Sequence, residues 1–163
     1  DFCRANRVKE AEISCILERY THLETYVEEH NEHYVSKMLA QEKDYLDNIL
    51  KEVDPNVILD KDQRKVVLTD EDYSLVVAGA GAGKTTTVAA KVKYLVEKGK
   101  IDPSQILVIS FTNKAVNELK DKIQKGLHIE CPIATFHSTG NAIIHKHSPE
   151  ELSLIHISEP TKH

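Results

Sequence analysis

Apolar residues in the first 53 positions recur three and four apart: Ile13, Ile16, Leu17, Tyr20, Leu23 and Val27, then Tyr34, Val35, Met38, Leu46, Ile49, Leu50 and Val53. That period predicts an amphipathic helical arm, one long element or two, ending before Pro55 because the residue ahead of a proline is pushed out of the helical region. From residue 54 the texture changes. Asp60 is placed to N-cap a short helix through Gln63, Val66 and Val67, and Asp70-Glu71-Asp72 reads as a turn. Tyr73 to Ala78 then predicts a buried strand, 84–98 a helix with Val88, Val92, Leu95 and Val96 inward, and Ile106 to Phe111 a second buried strand. A helix is expected over about 113–125 on Ala115, Val116, Leu119 and Ile123, followed by a short strand at Ile133 to Thr135 and a helix from about residue 137. Strands alternating with helices imply an α/β fold, a parallel sheet covered on both faces, preceded by the helical arm. No internal repeat or low-complexity segment interrupts this pattern.

Composition narrows the class. With 163 residues, 40% hydrophobic, 29% charged and 6% aromatic, the chain has room for one ordinary domain plus an extension, and disordered, collagen-like and disulfide-scaffold classes drop out. No run approaches the ~18 apolar residues of a membrane span. Three cysteines, Cys3, Cys15 and Cys131, without a C-x-x-C pair, fit a reducing compartment, so a cytoplasmic location is expected. The net charge of -5 falls entirely within residues 1–53. An acidic helix repels phosphates, so the arm is expected to pack or to meet a protein partner rather than nucleic acid.

The sequence starts at Asp1 with no signal-peptide apolar core, and its end, Ser153 to Thr161, resembles a translated sequencing adapter. The expected organisation is therefore an arm over 1–53, the first part of a nucleotide-binding domain over 54–150 and a non-native tail over 151–163.

The densest chemistry is Ala78-Gly79-Ala80-Gly81-Ala82-Gly83-Lys84-Thr85, set between a predicted strand and a predicted helix. Glycines alternating with alanines let the backbone curl so that successive N–H groups point inward at a polyphosphate, and the helix N-terminus adds its positive dipole end. The strict phosphate-loop pattern has glycine where Ala78 stands, but the strand-loop-helix context is the one it demands. Lys84 would reach the β- and γ-phosphates, and Thr85 would set its hydroxyl on Mg²⁺.

Three further segments carry a family resemblance. Leu59-Asp60-Lys61-Asp62-Gln63-Arg64 resembles the Q motif of UvrD/Rep-type superfamily 1 DNA helicases, with Gln63 fifteen residues before the loop. Its amide, donor and acceptor together, suits an adenine edge. Ile109-Ser110-Phe111-Thr112-Asn113-Lys114-Ala115-Val116-Asn117-Glu118-Leu119 resembles motif Ia, and Ala134-Thr135-Phe136-His137-Ser138 resembles motif Ib. The resemblance covers roughly residues 59–147 with the motifs in family order. It leans to the helicase IV branch, because Thr86 stands where many members have arginine and a helical extension precedes the domain.

What the resemblance implies is a RecA-like domain of an ATP-dependent DNA helicase or translocase using ATP and Mg²⁺. Gln63, Ala78, Gly79, Ala80, Gly81, Ala82, Gly83, Lys84, Thr85 and Thr86 would hold the nucleotide, with Lys84 and Thr85 catalytic. Phe111, Thr112, Asn113, Lys114, Thr135 and His137 would meet single-stranded or partially duplex DNA. Phe111 would stack on a base while Thr112 and Asn113 hold phosphates; the plainer reading is a core phenylalanine followed by an Asn N-cap. Cys131, His137, His145 and His147 match no common zinc spacing.

Hydrolysis also needs an acid on another strand to hold Mg²⁺ and an arginine at the γ-phosphate. Leu154 to Glu159 mimics such a strand but has Ser158 at the acid's position, and the arginines, Arg4, Arg7, Arg19 and Arg64, all precede the loop. The fragment is thus expected to be inactive alone. Alternatives are a P-loop ATPase that remodels a protein–nucleic acid complex such as RNA polymerase, and an ATP-sensing regulatory protein.

Overall fold

The computed structural model describes residues 9–147. Cys3, the tail over 151–163 and the Leu154 to Glu159 stretch lie outside the described residues.

The arm is three helices in near-continuous succession: α1 (Glu10–Thr21), α2 (Leu23–Gln41) and α3 (Lys43–Asn48). Backbone N–H groups of His22, Tyr26, Glu42 and Leu46 donate to carbonyls four residues back, so the ladder crosses both joints. The helix ends before Pro55, as the pattern requires. Its two ends differ in environment. Ile16, Leu17, Tyr20, Leu23 and Val27 are exposed, whereas Leu46, Ile49 and Leu50 are buried in the same core as the α/β part.

Polar pairs surround that buried stem. Arg64 meets Asp47 at 2.6 Å, Lys98 meets Glu42 at 2.9 Å, and Tyr45 donates its hydroxyl to Glu97 at 2.6 Å. Lys93 is only 6% exposed and donates to Glu52 at 3.0 Å, which answers a charge that would be costly to bury alone. The stem's acids thus face cations of the α/β part, and the packing expected of the arm is seen in its second half.

Among the described residues six helices or strands and two tighter helical turns follow. Helix α4 (Lys61–Leu68) starts on a capping box: Asp60 Oδ1 accepts from Gln63 N at 2.8 Å and Gln63 Oε1 accepts from Asp60 N at 3.0 Å. Helix α5 (Lys84–Glu97) leads through a 3₁₀ turn (Pro103–Gln105) to β1 (Val108–Ser110). Helix α6 (Asn113–Lys120) runs on into a π-turn (Asp121–Gly126), then come β2 (Ile133–Thr135) and α7 (Phe136–His147). Strands β1 and β2 pair in parallel with Val108 opposite Ile133, Ile109 opposite Ala134 and Ser110 opposite Thr135. Parallel pairing needs a crossover, and α6 with its π-turn supplies it.

The core gathers Val67 and Leu68 of α4, Ala89, Ala90 and Val92 of α5, Val108 of β1, Val116 and Leu119 of α6, and Ile123, Leu127, Ile129, Cys131 and Ile133 beyond. The chain is therefore α/β, mostly helical around a two-stranded parallel sheet. No helix among the described residues is long and apolar enough to cross a membrane.

Three expectations need correction. Tyr73 to Ala78 forms no strand and joins no ladder among the described residues, and Tyr73, Leu75 and Val77 are at least 90% exposed. A short apolar run carries the signature of a buried strand wherever it occurs, but burial needs partner strands, and the described residues place none beside this one. The second strand is shorter than Ile106 to Phe111: only Val108 to Ser110 pair, and Leu107, Ile109 and Phe111 are exposed. On α5 the inward face is Ala89, Ala90, Val92 and Lys93, while Val88 is exposed, because it looks toward that open strand position.

Candidate functional site

The glycine-rich loop lies between the Tyr73 to Ala78 segment and α5. Gly81 (φ +78°) and Gly83 (φ +73°) both sit in the left-handed region, which explains why these turns fall on residues without a Cβ. A Cβ on Gly79 or Gly81 would meet nothing within 4 Å, so space remains beside the loop's outer turn. At Gly83 it would lie 2.6 Å from Gln63 Nε2. There the loop is braced: Gln63 Nε2 donates to Ala82 O at 3.1 Å. The glutamine read as an adenine contact therefore reaches the loop, with its carbonyl end in the capping box and its amino end on the loop backbone.

Lys84 and Thr85 open α5, with Lys84 exposed and Thr85 half-buried. Lys84 Nζ curls back to donate to Gly79 O at 2.6 Å and Ala78 O at 3.2 Å, leaving one of its three N–H groups free. The ammonium is thus held at the mouth of its own loop, at the height of the residues that start it. Ala80 and Ala82 are exposed and Ala78 half-buried. Thr86 Oγ1 accepts from Lys122 Nζ at 2.8 Å. The residues fit a polyphosphate: left-handed glycines, open space, a lysine and a helix N-terminus converge on one loop.

A largely apolar cavity of about 700 Å³ opens at the loop, lined by Gln63, Gly79 and Lys84 on the loop side and by Val76, Val88 and Leu107 beyond, with Lys91 on one side. Lys91 donates to the carbonyls of Val67 and Thr69, closing the C-terminus of α4, and burial pulls its ammonium below the ordinary lysine range while Asp70 opposes this. The cavity thus joins the space beside the unpaired apolar segment to the mouth of the glycine-rich loop.

A second group of candidate residues collects where β1 and β2 end. The ladder sets Ser110 opposite Thr135, so Phe111 and Phe136 leave the sheet side by side. Their rings stack with centroids 6.3 Å apart and planes 26° from parallel, and both are exposed, Phe111 at 84%. Phe111 is therefore no core residue. His137 is exposed and meets Phe136 edge-on at 6.3 Å. Thr112, rather than Asn113, caps α6, its Oγ1 accepting from Ala115 N at 3.2 Å. Asn113 takes the first helical position instead because its neighbour's shorter hydroxyl already fills the cap.

Thr135 plays the matching part for α7: its Oγ1 accepts from Ser138 N at 3.1 Å and its own N–H donates to Ser138 Oγ at 3.1 Å. Thr112, Asn113 and Lys114 are exposed and Thr135 half-buried. Two helix N-termini, two exposed aromatic rings and a lysine thus share the carboxyl end of one small parallel sheet. Phe136 is the residue that reading the sequence missed. Its signal was available, since an aromatic follows each strand directly, but the alignment of the two rings depends on the register.

A glycine-rich loop at a helix start and, apart from it, a sheet end with two exposed aromatic rings and two helix N-termini are the features the described residues bring together. Residues 59–157 match the UvrD/REP helicase N-terminal domain family, and the chain belongs to that family. It is 36% identical over 121 residues to DNA helicase IV of Escherichia coli (strain K12), covering 74% of this chain and 17% of that protein. Over 102 residues it is 35% identical to a probable DNA helicase of Mycoplasma pneumoniae (strain ATCC 29342 / M129 / Subtype 1), covering 60% and 19%. The ATP-dependent DNA helicase PcrA of Staphylococcus aureus (strain Mu50 / ATCC 700699) is 36% identical over 83 residues, 49% of this chain and 11% of PcrA. The chain spans less than a fifth of the length of each of these relatives.

Proposed function

We propose that the chain is the leading part of an ATP-dependent DNA helicase or translocase, carrying its RecA-like phosphate loop and part of its single-strand contact surface, and inactive as a motor alone. The observation that carries the reading is the loop itself, where left-handed Gly81 and Gly83 turn the backbone and deliver Lys84 and Thr85 to the start of α5. Relatives named as DNA helicases support it.

In this reading the loop N–H groups and the α5 N-terminus hold the phosphates, and Lys84 exchanges its two carbonyl partners for phosphate oxygens. Thr85 offers its hydroxyl to Mg²⁺, and bound Mg·ATP supplies the phosphoanhydride whose hydrolysis drives movement. Gln63, which reaches the loop at Ala82 O, would turn its amide to the base edge in this reading. At the sheet end, Phe111 stacks on a base while Thr112, Asn113, Lys114, Thr135 and His137 face phosphate and sugar; the Thr112 hydroxyl accepts in the cap and keeps its proton to donate.

The test is binding of methylanthraniloyl-ATP with Mg²⁺ by the chain and ATP turnover by the full-length protein, each with Lys84→Ala. The variant is expected to keep its fold and lose both signals. Equal binding and turnover in variant and wild type would overturn the assignment.

A further inference from the structure

Lys122 stands on the π-turn that continues α6, half-buried, and its contact with Thr86 Oγ1 at 2.8 Å joins two elements 36 residues apart in sequence. Among the described residues no carboxylate pairs with it, so the hydroxyl of Thr86 is what receives this ammonium. Thr86 lies in the first turn of α5, directly after Lys84 and Thr85. At the other end of α6 are Thr112, Asn113 and Lys114, about 14 Å away along the helix axis from Lys122 at 1.5 Å per residue.

The helix between is pinned. Val116, Leu119 and Ile123 bury its inner face, and Ile123, next to Lys122, is wholly buried. A packed element of this kind moves as a body, so a ligand that fixes its start also fixes where Lys122 points.

Resting on the nucleotide-and-strand reading above, we infer that Lys122 is a positioning residue that couples single-strand binding at the start of α6 to nucleotide affinity at the glycine-rich loop. A strand held by Phe111 and Thr112 to Lys114 fixes α6. Through the Lys122 contact, already formed without ligand, this narrows the positions that Thr86 samples and with it the turn that presents Lys84 and Thr85. Because coupling is reciprocal, nucleotide tightens single-strand binding by the same factor.

The experiment is titration of the full-length protein with methylanthraniloyl-ATP and Mg²⁺, with and without saturating oligo(dT). The wild type is expected to bind nucleotide at least about fivefold more tightly with DNA present. Lys122→Met and Thr86→Val should each bring that ratio to within about twofold of one, and the double variant no further than either single, because both break the same contact. Lys122→Arg, which keeps a cationic donor, should restore the wild-type ratio. Should Lys122→Met unfold, Thr86→Val carries the test from the other side of the contact. A folded Lys122→Met protein with the wild-type ratio, whatever its thermal midpoint, or a wild-type ratio of one, overturns the inference. A wild type that binds neither nucleotide nor oligo(dT) overturns the nucleotide-and-strand reading instead.

Discussion

Replacing Gly83 with alanine tests whether Gln63 braces the loop, and Gly81→Ala is its built-in control. Both glycines hold φ above +70°, so each substitution meets the left-handed penalty of about 1–2 kcal/mol, partly offset by the ~0.4–1 kcal/mol that alanine removes from unfolded-chain entropy. At Gly81 the added methyl meets nothing within 4 Å, and a net loss of about 0.5–1.5 kcal/mol is expected. At Gly83 it arrives 2.6 Å from Gln63 Nε2. That atom ends a flexible side chain, so it swings aside and what is lost is its hydrogen bond to Ala82 O, a further ~0.5–1.5 kcal/mol. For a chain of this size each kcal/mol moves the thermal midpoint by about 2–4 °C, so Gly83→Ala should melt roughly 1–6 °C below Gly81→Ala by far-ultraviolet circular dichroism. In a Gln63→Ala background the difference should vanish, since the brace is already gone. Equal midpoints for the two glycine variants, or a difference that survives Gln63→Ala, would refute the brace.

Two further outcomes follow from the geometry. Phe111→Ala and Phe136→Ala should each weaken oligo(dT) binding by roughly tenfold or more with little change in salt dependence, whereas Lys114→Ala should flatten the salt slope; fluorescence anisotropy across a salt series separates them. Because the two rings stack on each other, their losses should not add. The Tyr45 phenol is pushed far above its ordinary 10.0, first by burial and then by its hydrogen bond to Glu97. Its unfolded counterpart ionises near pH 10 while the folded one stays neutral, so the stabilisation is present below that pH and fades above it. Thermal midpoints should therefore fall steeply above pH 10, and less steeply in Tyr45→Phe, the remainder reflecting Tyr94, raised by burial and by Glu42. An unchanged alkaline slope in the variant would show that the hydroxyl does not carry it.

Local signals proved legible where local physics decides. Asp60 and Gln63 stand three apart with the side chains a capping box needs, and the helix forms there. Val116, Leu119 and Ile123 keep a helical period and are buried. Ile133 to Thr135 forms the strand expected of it. Reading failed where the answer lies with a distant partner: the apolar texture of Tyr73 to Ala78 predicts a strand but cannot supply what would pair with it. The arm shows the same division, since one period runs through Ile16 and Leu46 alike, yet only the second meets a core. In the candidate site the loop and the motif-like segments were readable from residue order. The Gln63 brace, the Lys122 contact and the pairing of Phe111 with Phe136 were not, because each depends on how separate elements dock.

The open segment from Tyr73 to Val77 also governs how the molecule will behave in a test tube. Leu75-Val76-Val77 offers unpaired backbone N–H and C=O groups flanked by exposed aliphatics, and Leu107 and Ile109 lie across the neighbouring cavity. An uncovered, apolar, uncharged segment of this kind can pair with another chain's strand, and it lacks the lysines or prolines that ordinarily guard exposed edges. Self-association of the isolated chain is therefore expected to rise with concentration, and light scattering should show it reduced by a charged substitution at Val77. Capping the segment, by that substitution or by supplying the strands of a longer polypeptide, is the route to a monomer on which the loop can be titrated.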